Sequence, residues 1–155
     1  MPAPQNDVRF ALAVERSSMR TFPVDDLILK HAIDSDIDRF QENAVFPGEL
    51  IVVLHESEDG QWFLVQKYNY LAWVKKNAVA IGARLEVLAY SDEADEILVM
   101  IGKRVRMVHN PHDERLSGGL LDMGLMLPLT RTDKVLELID GRNPAMSFVV
   151  RMPVK

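Results

Sequence analysis

Three short apolar runs, rich in β-branched and aromatic side chains, fill the stretch from Glu49 to Val74. The first is Glu49-Leu50-Ile51-Val52-Val53-Leu54-His55-Glu56, the second Gln61-Trp62-Phe63-Leu64-Val65-Gln66, and the third Leu71-Ala72-Trp73-Val74. Ser57-Glu58-Asp59-Gly60 separates the first two. Its Asp-Gly pair is a strong hairpin signal, because glycine supplies the positive φ that such turns need. Tyr68-Asn69 has the right length for a second tight turn. Strands this short, joined this tightly, predict an antiparallel meander, which closes readily into a small barrel.

The flanks extend that pattern. Residues 1–16 read as a lead, flexible over its first seven positions, with an apolar run from Val8 to Val14 that suits a strand or a short helix. Ser17 to Thr21 predicts a strand stopped by Pro23. Ile33 to Asp38 reads as loop, Arg39 to Phe46 approaches the barrel, and Pro47-Gly48 turns the chain into the meander. Lys75 to Val79 is placed for a short 3₁₀ turn, Ala80-Ile81 for a last strand, and Gly82 ends a first unit spanning 17–82. Ala83 to Tyr90 sets Leu85, Leu88 and Ala89 at helical spacing and predicts a short linking helix. Strands are then expected over Glu96–Ile101, Lys103–His109, Gly124–Leu129, Lys134–Ile139 and Ser147–Pro153, with a loop from Asn110 to Gly119. Residues 83–155 thus form a second unit of the same texture. Units of about 70 residues bury modest cores, so the two are expected to pack together.

Composition narrows the function. The chain has 155 residues, 48% hydrophobic and 26% charged, as folded soluble proteins do. A net charge of −5 argues against nucleic acid as a partner. The basic clusters Lys75-Lys76 and Lys103-Arg104-Val105-Arg106 read as solvated surface. With no cysteine, disulfides, thiolate metal sites and a cysteine nucleophile are all excluded. No apolar run is long enough to cross a bilayer, and the first residues lack the pattern of a signal peptide.

No complete catalytic set is present. Asp34, Asp36 and Asp38 resemble half of a calcium loop but lack its turn glycine and terminal glutamate. His109 and His112 lack a third zinc ligand, and His31 and His55 stand apart. Neither a metal nor a cofactor is expected. The aromatics say more, since Trp62, Phe63, Tyr68, Tyr70 and Trp73 all fall in the meander. Residues 62 and 63 should face opposite sides of their strand, one in the core and one partly exposed, and Tyr70 and Trp73 should also face opposite sides. Trp62, Tyr68 and Trp73 would then form an aromatic groove beside Asp38 and Glu42, suited to a peptide with a free amine. The alternative is that the rings only cover the barrel ends or the junction between the units.

Several segments occur in the order of a known module: Met19-Arg20-Thr21-Phe22-Pro23, Asp38-Arg39-Phe40-Gln41-Glu42, Pro47-Gly48-Glu49, Leu54-His55-Glu56-Ser57, Asp59-Gly60-Gln61-Trp62 and Trp73-Val74. They resemble the first bacterial SH3-type domain (SH3b1) of NlpC/p60-family cell-wall cysteine peptidases. Asp122-Met123-Gly124, Leu127-Pro128-Leu129 and Ser147 to Pro153 resemble the second SH3-type domain of the same proteins. The resemblance implies an all-β fold of two packed SH3-like small barrels joined by a short helix. It also implies the accessory part of a γ-D-glutamyl-L-diamino acid endopeptidase, without the catalytic domain, which would follow Lys155 or act in trans. In such proteins acidic and tyrosine side chains of the first SH3-type domain hold the free L-Ala amine of a peptidoglycan stem peptide. Tyr70 matches the tyrosine, and Glu42, then Asp38, the acid. Leu71-Ala72 stands where relatives often carry a glycine. The setting implied is the bacterial periplasm or cell envelope for an exported full-length protein, or the cytoplasm for a chain complete as written. The alternative function is a stand-alone SH3-like module that binds a protein or peptide partner.

Overall fold

The computed structural model describes residues 7–30, 36–92, 96–130 and 138–155. Strands dominate, with one short helix, in an SH3-like all-β fold. The first unit is one seven-stranded antiparallel sheet. Its strands are β1 (Arg9–Ala13), β2 (Ser17–Arg20), β3 (Gln41–Val45), β4 (Leu50–Glu56), β5 (Trp62–Lys67), β6 (Tyr70–Lys75) and β7 (Val79–Ile81). The order across the sheet is β3-β2-β6-β5-β4-β1-β7. The meander forms as its turns predict. Gly60 adopts φ +66° in the first turn, and Lys67 pairs with Tyr70 across the second. A 3₁₀ turn over Lys76–Ala78 leads into β7.

Residues 9–13, assigned to the lead by the sequence, pair with both β4 and β7. Their alternation explains why: Ala11 and Ala13 point inward and are fully buried. Inward positions of all seven strands and of the 3₁₀ turn make a single core, with Met19, Val45, Ile51, Val53, Phe63, Val65 and Val74 at its centre.

Helix α1 (Arg84–Asp92) packs on β1, but its inward residue differs from the expected one. Val87 is buried, whereas Leu85 is 80% exposed. With only one sheet edge to cover, the helix seals a narrow stripe rather than a full apolar face.

The second half is less regular. Its strands are β8 (Ile97–Val99), β9 (Arg104–Arg106), β10 (Leu120–Asp122), β11 (Met126–Thr130) and β12 (Val149–Val150). The expected neighbours β8 and β9 do not pair with each other. β8 pairs with β11, which also holds β12, while β9 pairs with β10, a strand the sequence pattern did not show. Gly102 lies in the segment between β8 and β9. The run Ser147–Pro153 contributes only the short strand β12. Residues 131–137, with most of the strand expected over Lys134–Ile139, lie outside the described residues, as do His31 and Asp34.

The halves share a core. Leu121, Leu125 and Leu127 pack with Met100, Met107, Val150 and Met152, and with Phe46 from the end of β3. Within the second half, polar contacts tie the helix to the C-terminal segment: the Tyr90 hydroxyl donates to the Arg151 carbonyl at 2.9 Å, and Arg151 Nη2 donates to the Tyr90 carbonyl at 3.0 Å. Burial pushes the Tyr90 hydroxyl up to about 12, although the Arg151 cation opposes the shift.

Candidate functional site

At the end of β3 farthest from its turn, the pairing with β2 slips. Met19 faces Asn43 and Arg20 faces Gln41, so Glu42 is the extra residue of a β-bulge. The bulge frees Glu42 from the ladder and turns its carboxylate toward Thr21 and Tyr70. Thr21 Oγ1 donates to Glu42 Oε1 at 2.6 Å, and the Tyr70 hydroxyl donates to Glu42 Oε2 at 2.7 Å. These two bonds, the Thr21 bond first, outweigh burial and hold the Glu42 carboxyl below the usual glutamate range. Tyr70 is pushed the other way by the same contact, so it stays a protonated donor. Glu42 and Thr21 are exposed, and Tyr70 packs against the edge of the core. Among the described residues no cation pairs with Glu42. The result is an ionised, solvent-facing carboxylate oriented by two hydroxyls. Phe22, next to Thr21 in sequence, is 51% exposed and stacks edge-on against Phe40 at 5.0 Å.

Asp38 has a different role. Its carboxylate pairs with Arg20 and also accepts the backbone N–H of Phe40 at 3.0 Å and of Ile28 at 3.2 Å. The Phe40 N–H first, then Ile28 and Arg20, hold its carboxyl below the usual range against the opposing effect of burial. Among the described residues of the first unit, Arg20 is the buried charged residue, 8% exposed, and its Nη2 donates to the Asp26 carbonyl at 2.6 Å. With both sides of the pair enclosed, Asp38 staples the loop before β3 onto β2 and has no room for a ligand cation.

The three proposed groove rings do not converge on Glu42. Trp62 and Phe63 are both buried, at 3% and 1% exposure, where one exposed ring was expected. Phe63 fills the core, while Trp62 on the outer face lies under the Lys75 ammonium, 4.1 Å from the ring centre, with Lys75 held by Asp25. A long lysine stem shields an apolar ring well, which is how both faces of one strand become buried. Trp73 shares that outer face, through the pairs Trp62↔Lys75 and Leu64↔Trp73, and meets His55 edge-on at 6.2 Å. Tyr68 stands fully exposed at the tip of the β5–β6 turn. Tyr70, by contrast, lies on the inner face with Ala72 and Val74. Ala72 is buried in regular pairing with Val65.

The sequence reading missed Thr21 and Arg20. Period-two alternation places Thr21 on the inward face with Met19, so its direction was available; the bulge that brings Glu42 to it was not.

Among the described residues, no group of three or more His, Asp or Glu side chains could hold a metal ion, and no helix is long and apolar enough to cross a membrane.

Residues 29–75 match the family model described as an SH3 domain of SH3b1 type, a span that contains Asp38, Glu42 and Tyr70. No curated protein matches the chain. Among solved structures, the chain is similar to a novel NlpC/P60 endopeptidase from Photobacterium damselae subsp. piscicida, at 17% identity and a TM-score of 0.70. The match covers 94% of this chain and 31% of that one, so the chain spans about a third of the length of that structure. The first unit is thus similar to SH3b1-type domains over residues 29–75, and the chain shares its fold with part of an NlpC/P60 endopeptidase.

Proposed function

We propose that this chain is the non-catalytic SH3b region of a peptidoglycan stem-peptide hydrolase of the cell envelope, and that Glu42 receives the free N-terminal amine of the L-Ala residue in that peptide. The observation that carries the reading is the Glu42 carboxylate itself: exposed, ionised, fixed by Thr21 and Tyr70, and without a paired cation among the described residues. An ammonium group donates up to three hydrogen bonds and meets there the charge that the fold leaves uncompensated. The phenolic oxygen of Tyr70 offers a second acceptor, and the exposed Phe22 ring suits a small apolar side chain. Asp38, sealed by Arg20, keeps the loop in place rather than touching the peptide. The peptidase domain that would cleave the bond between γ-D-Glu and the diamino acid is the partner in this reading.

The test is an NMR titration of the 155-residue chain with L-Ala-γ-D-Glu-diamino acid tripeptide, free and N-acetylated. Shifts at Thr21, Glu42 and Tyr70 are expected with the free amine alone, at a Kd on the order of millimolar. Glu42→Gln is expected to abolish the difference between the two peptides. Equal shifts with both peptides, or shifts remote from Glu42, would remove the amine reading and favour a module that binds another protein or peptide.

A further inference from the structure

A second cavity, of about 600 Å³, lies between the two units and remote from Glu42. Its walls come from Val14–Arg16 and Pro47 on one side and from β9, β10 and the C-terminal segment on the other. Arg16 precedes β2 at the end that pairs with Val45, and Glu42 lies toward the opposite end of the same strand pair. Four residues of strand separate the two, roughly 13 Å.

The charge in this cavity is unbalanced in a chain that is acidic as a whole. Arg16 and Arg104 both reach for one carboxylate, that of Asp122, at 3.8 and 3.4 Å. Their side chains stay 47% and 55% exposed. Arg106 lies two positions along β9 from Arg104, on the same face of the strand, and its Nη1 donates to the Gly118 carbonyl in the cavity wall at 3.3 Å. Two guanidinium groups, those of Arg16 and Arg104, therefore share the Asp122 carboxylate, while Glu15, the other carboxylate in the wall, accepts from Asn77 Nδ2 at 2.9 Å. Arg115, also in the wall, is already satisfied by Asp113 through two bonds of 2.9 and 2.6 Å, and adds shape rather than free charge. The floor is apolar, with Met107, Leu121 and Met152. Asp122 Oδ2 is buried without a hydrogen-bond partner among the described residues, so Arg16 meets it by charge alone, while Arg104 Nε donates to Oδ1.

We propose that this cavity binds an oxyanion, a phosphate or carboxylate group attached to an apolar body, through Arg16 and Arg104 in its wall, with Arg106 beside them on β9 adding positive charge. Planar guanidinium forks match both oxyanions in bidentate geometry, and the apolar floor takes the remainder of the molecule. This assigns a role to the Arg104-Val105-Arg106 run, which otherwise reads as plain surface. It does not depend on the amine reading at Glu42.

The experiment is an NMR titration of the full chain with phenyl phosphate, benzoate and inorganic phosphate, and with benzyl alcohol as the neutral control. Shifts confined to Arg16, β9, β10 and Met152 are expected with phenyl phosphate or benzoate and absent with benzyl alcohol. Which of the two anions binds more tightly identifies the oxyanion. The exposed double substitution Arg104→Gln/Arg106→Gln is expected to weaken binding by about tenfold, the effect of losing a charge-assisted bond. Glu42→Gln should leave it unchanged. Arg16→Gln, a single change outside β9, provides a second reading of the same site and is also expected to weaken binding. The proposal is overturned by shifts spread over remote basic residues such as Lys75 and Lys103, by affinity that survives the double substitution in a folded protein, or by the absence of any shift.

Discussion

Glu42 and Asp38 are acids four positions apart with opposite fates, and hydrogen-bond geometry decides between them. Asp38 meets two backbone N–H groups and a buried guanidinium, so its charge is used up inside the fold. Glu42 meets two neutral hydroxyls, which orient it and stabilise its ionised form without cancelling the charge. A pH dependence follows. Glu42 is ionised above a pKa that lies below the ordinary glutamate value of 4.5, and a peptide α-amine is protonated below about 7.7–8.0. Binding of the free-amine peptide is expected to be level between these limits. It should fall below the ordinary glutamate range as Glu42 protonates, and fall again above pH ~8 as the amine loses its proton. Tyr70→Phe removes one of the two donors, so the Glu42 pKa should move back up toward its ordinary value, which carboxylate-detected NMR titration reads directly. A Glu42 pKa unchanged in Tyr70→Phe would show that the hydroxyl does not orient the acid in solution.

At the scale of elements, the turn between β3 and β4 couples the two units. Gly48 has φ +85°, and a Cβ placed on it would lie 3.1 Å from the Tyr90 hydroxyl oxygen. Gly48→Ala therefore meets two costs: the left-handed backbone, about 1–2 kcal/mol, and a push on Tyr90, which bonds to Arg151. Gly118→Ala is the matched control, because Gly118 has φ +70° with nothing within 4 Å of its Cβ position. Thermal denaturation of both variants should show Gly48→Ala as the more destabilised, by about 1 kcal/mol or more beyond the control. Hydrogen exchange should also accelerate at residues 149–152 in Gly48→Ala alone. Equal losses in the two variants would mean that Tyr90 gives way without loosening the junction. The bulge in β3 acts at the same scale. One extra residue redirects Glu42, and no periodicity along β3 announces it, because a bulge is a relation between two strands.

Taken whole, the molecule carries several carboxylates whose pKa values are lowered by folding, namely Asp38, Glu42, Glu56, Asp59 and Asp113. Each contributes stability that is present above its unfolded value, near 3.8 for aspartate and 4.5 for glutamate, and is lost as pH falls through the lower folded value. Most are exposed and screened, so each contributes little alone. Their sum predicts that the melting temperature is nearly constant from pH 7 to 5 and drops steeply below about pH 4. Melts recorded from pH 7 to 2.5 check this, and a melting temperature independent of pH down to 3 would contradict it.

The sequence by itself determined the elements whose signals are local. Asp59-Gly60 and Tyr68-Asn69 dictate tight turns, alternating apolar residues dictate strands 50–56, 62–67 and 70–75, and helical spacing dictates a helix near 84–92, since each depends on neighbours only a few positions away. Tyr70 and Glu42 were legible as candidates through the resemblance carried by short motifs. Their meeting at 2.7 Å was not, because it depends on a bulge formed by the pairing of β2 with β3. Tertiary structure alone decided that Trp62 is buried beneath Lys75, that Asp38 is spent on Arg20, that β1 enters the sheet, and that β8 and β9 part to different partners. All are contacts between residues distant in sequence. Short local patterns set which segments become strands, whereas long-range pairing and burial set which side chains are left with charge to offer.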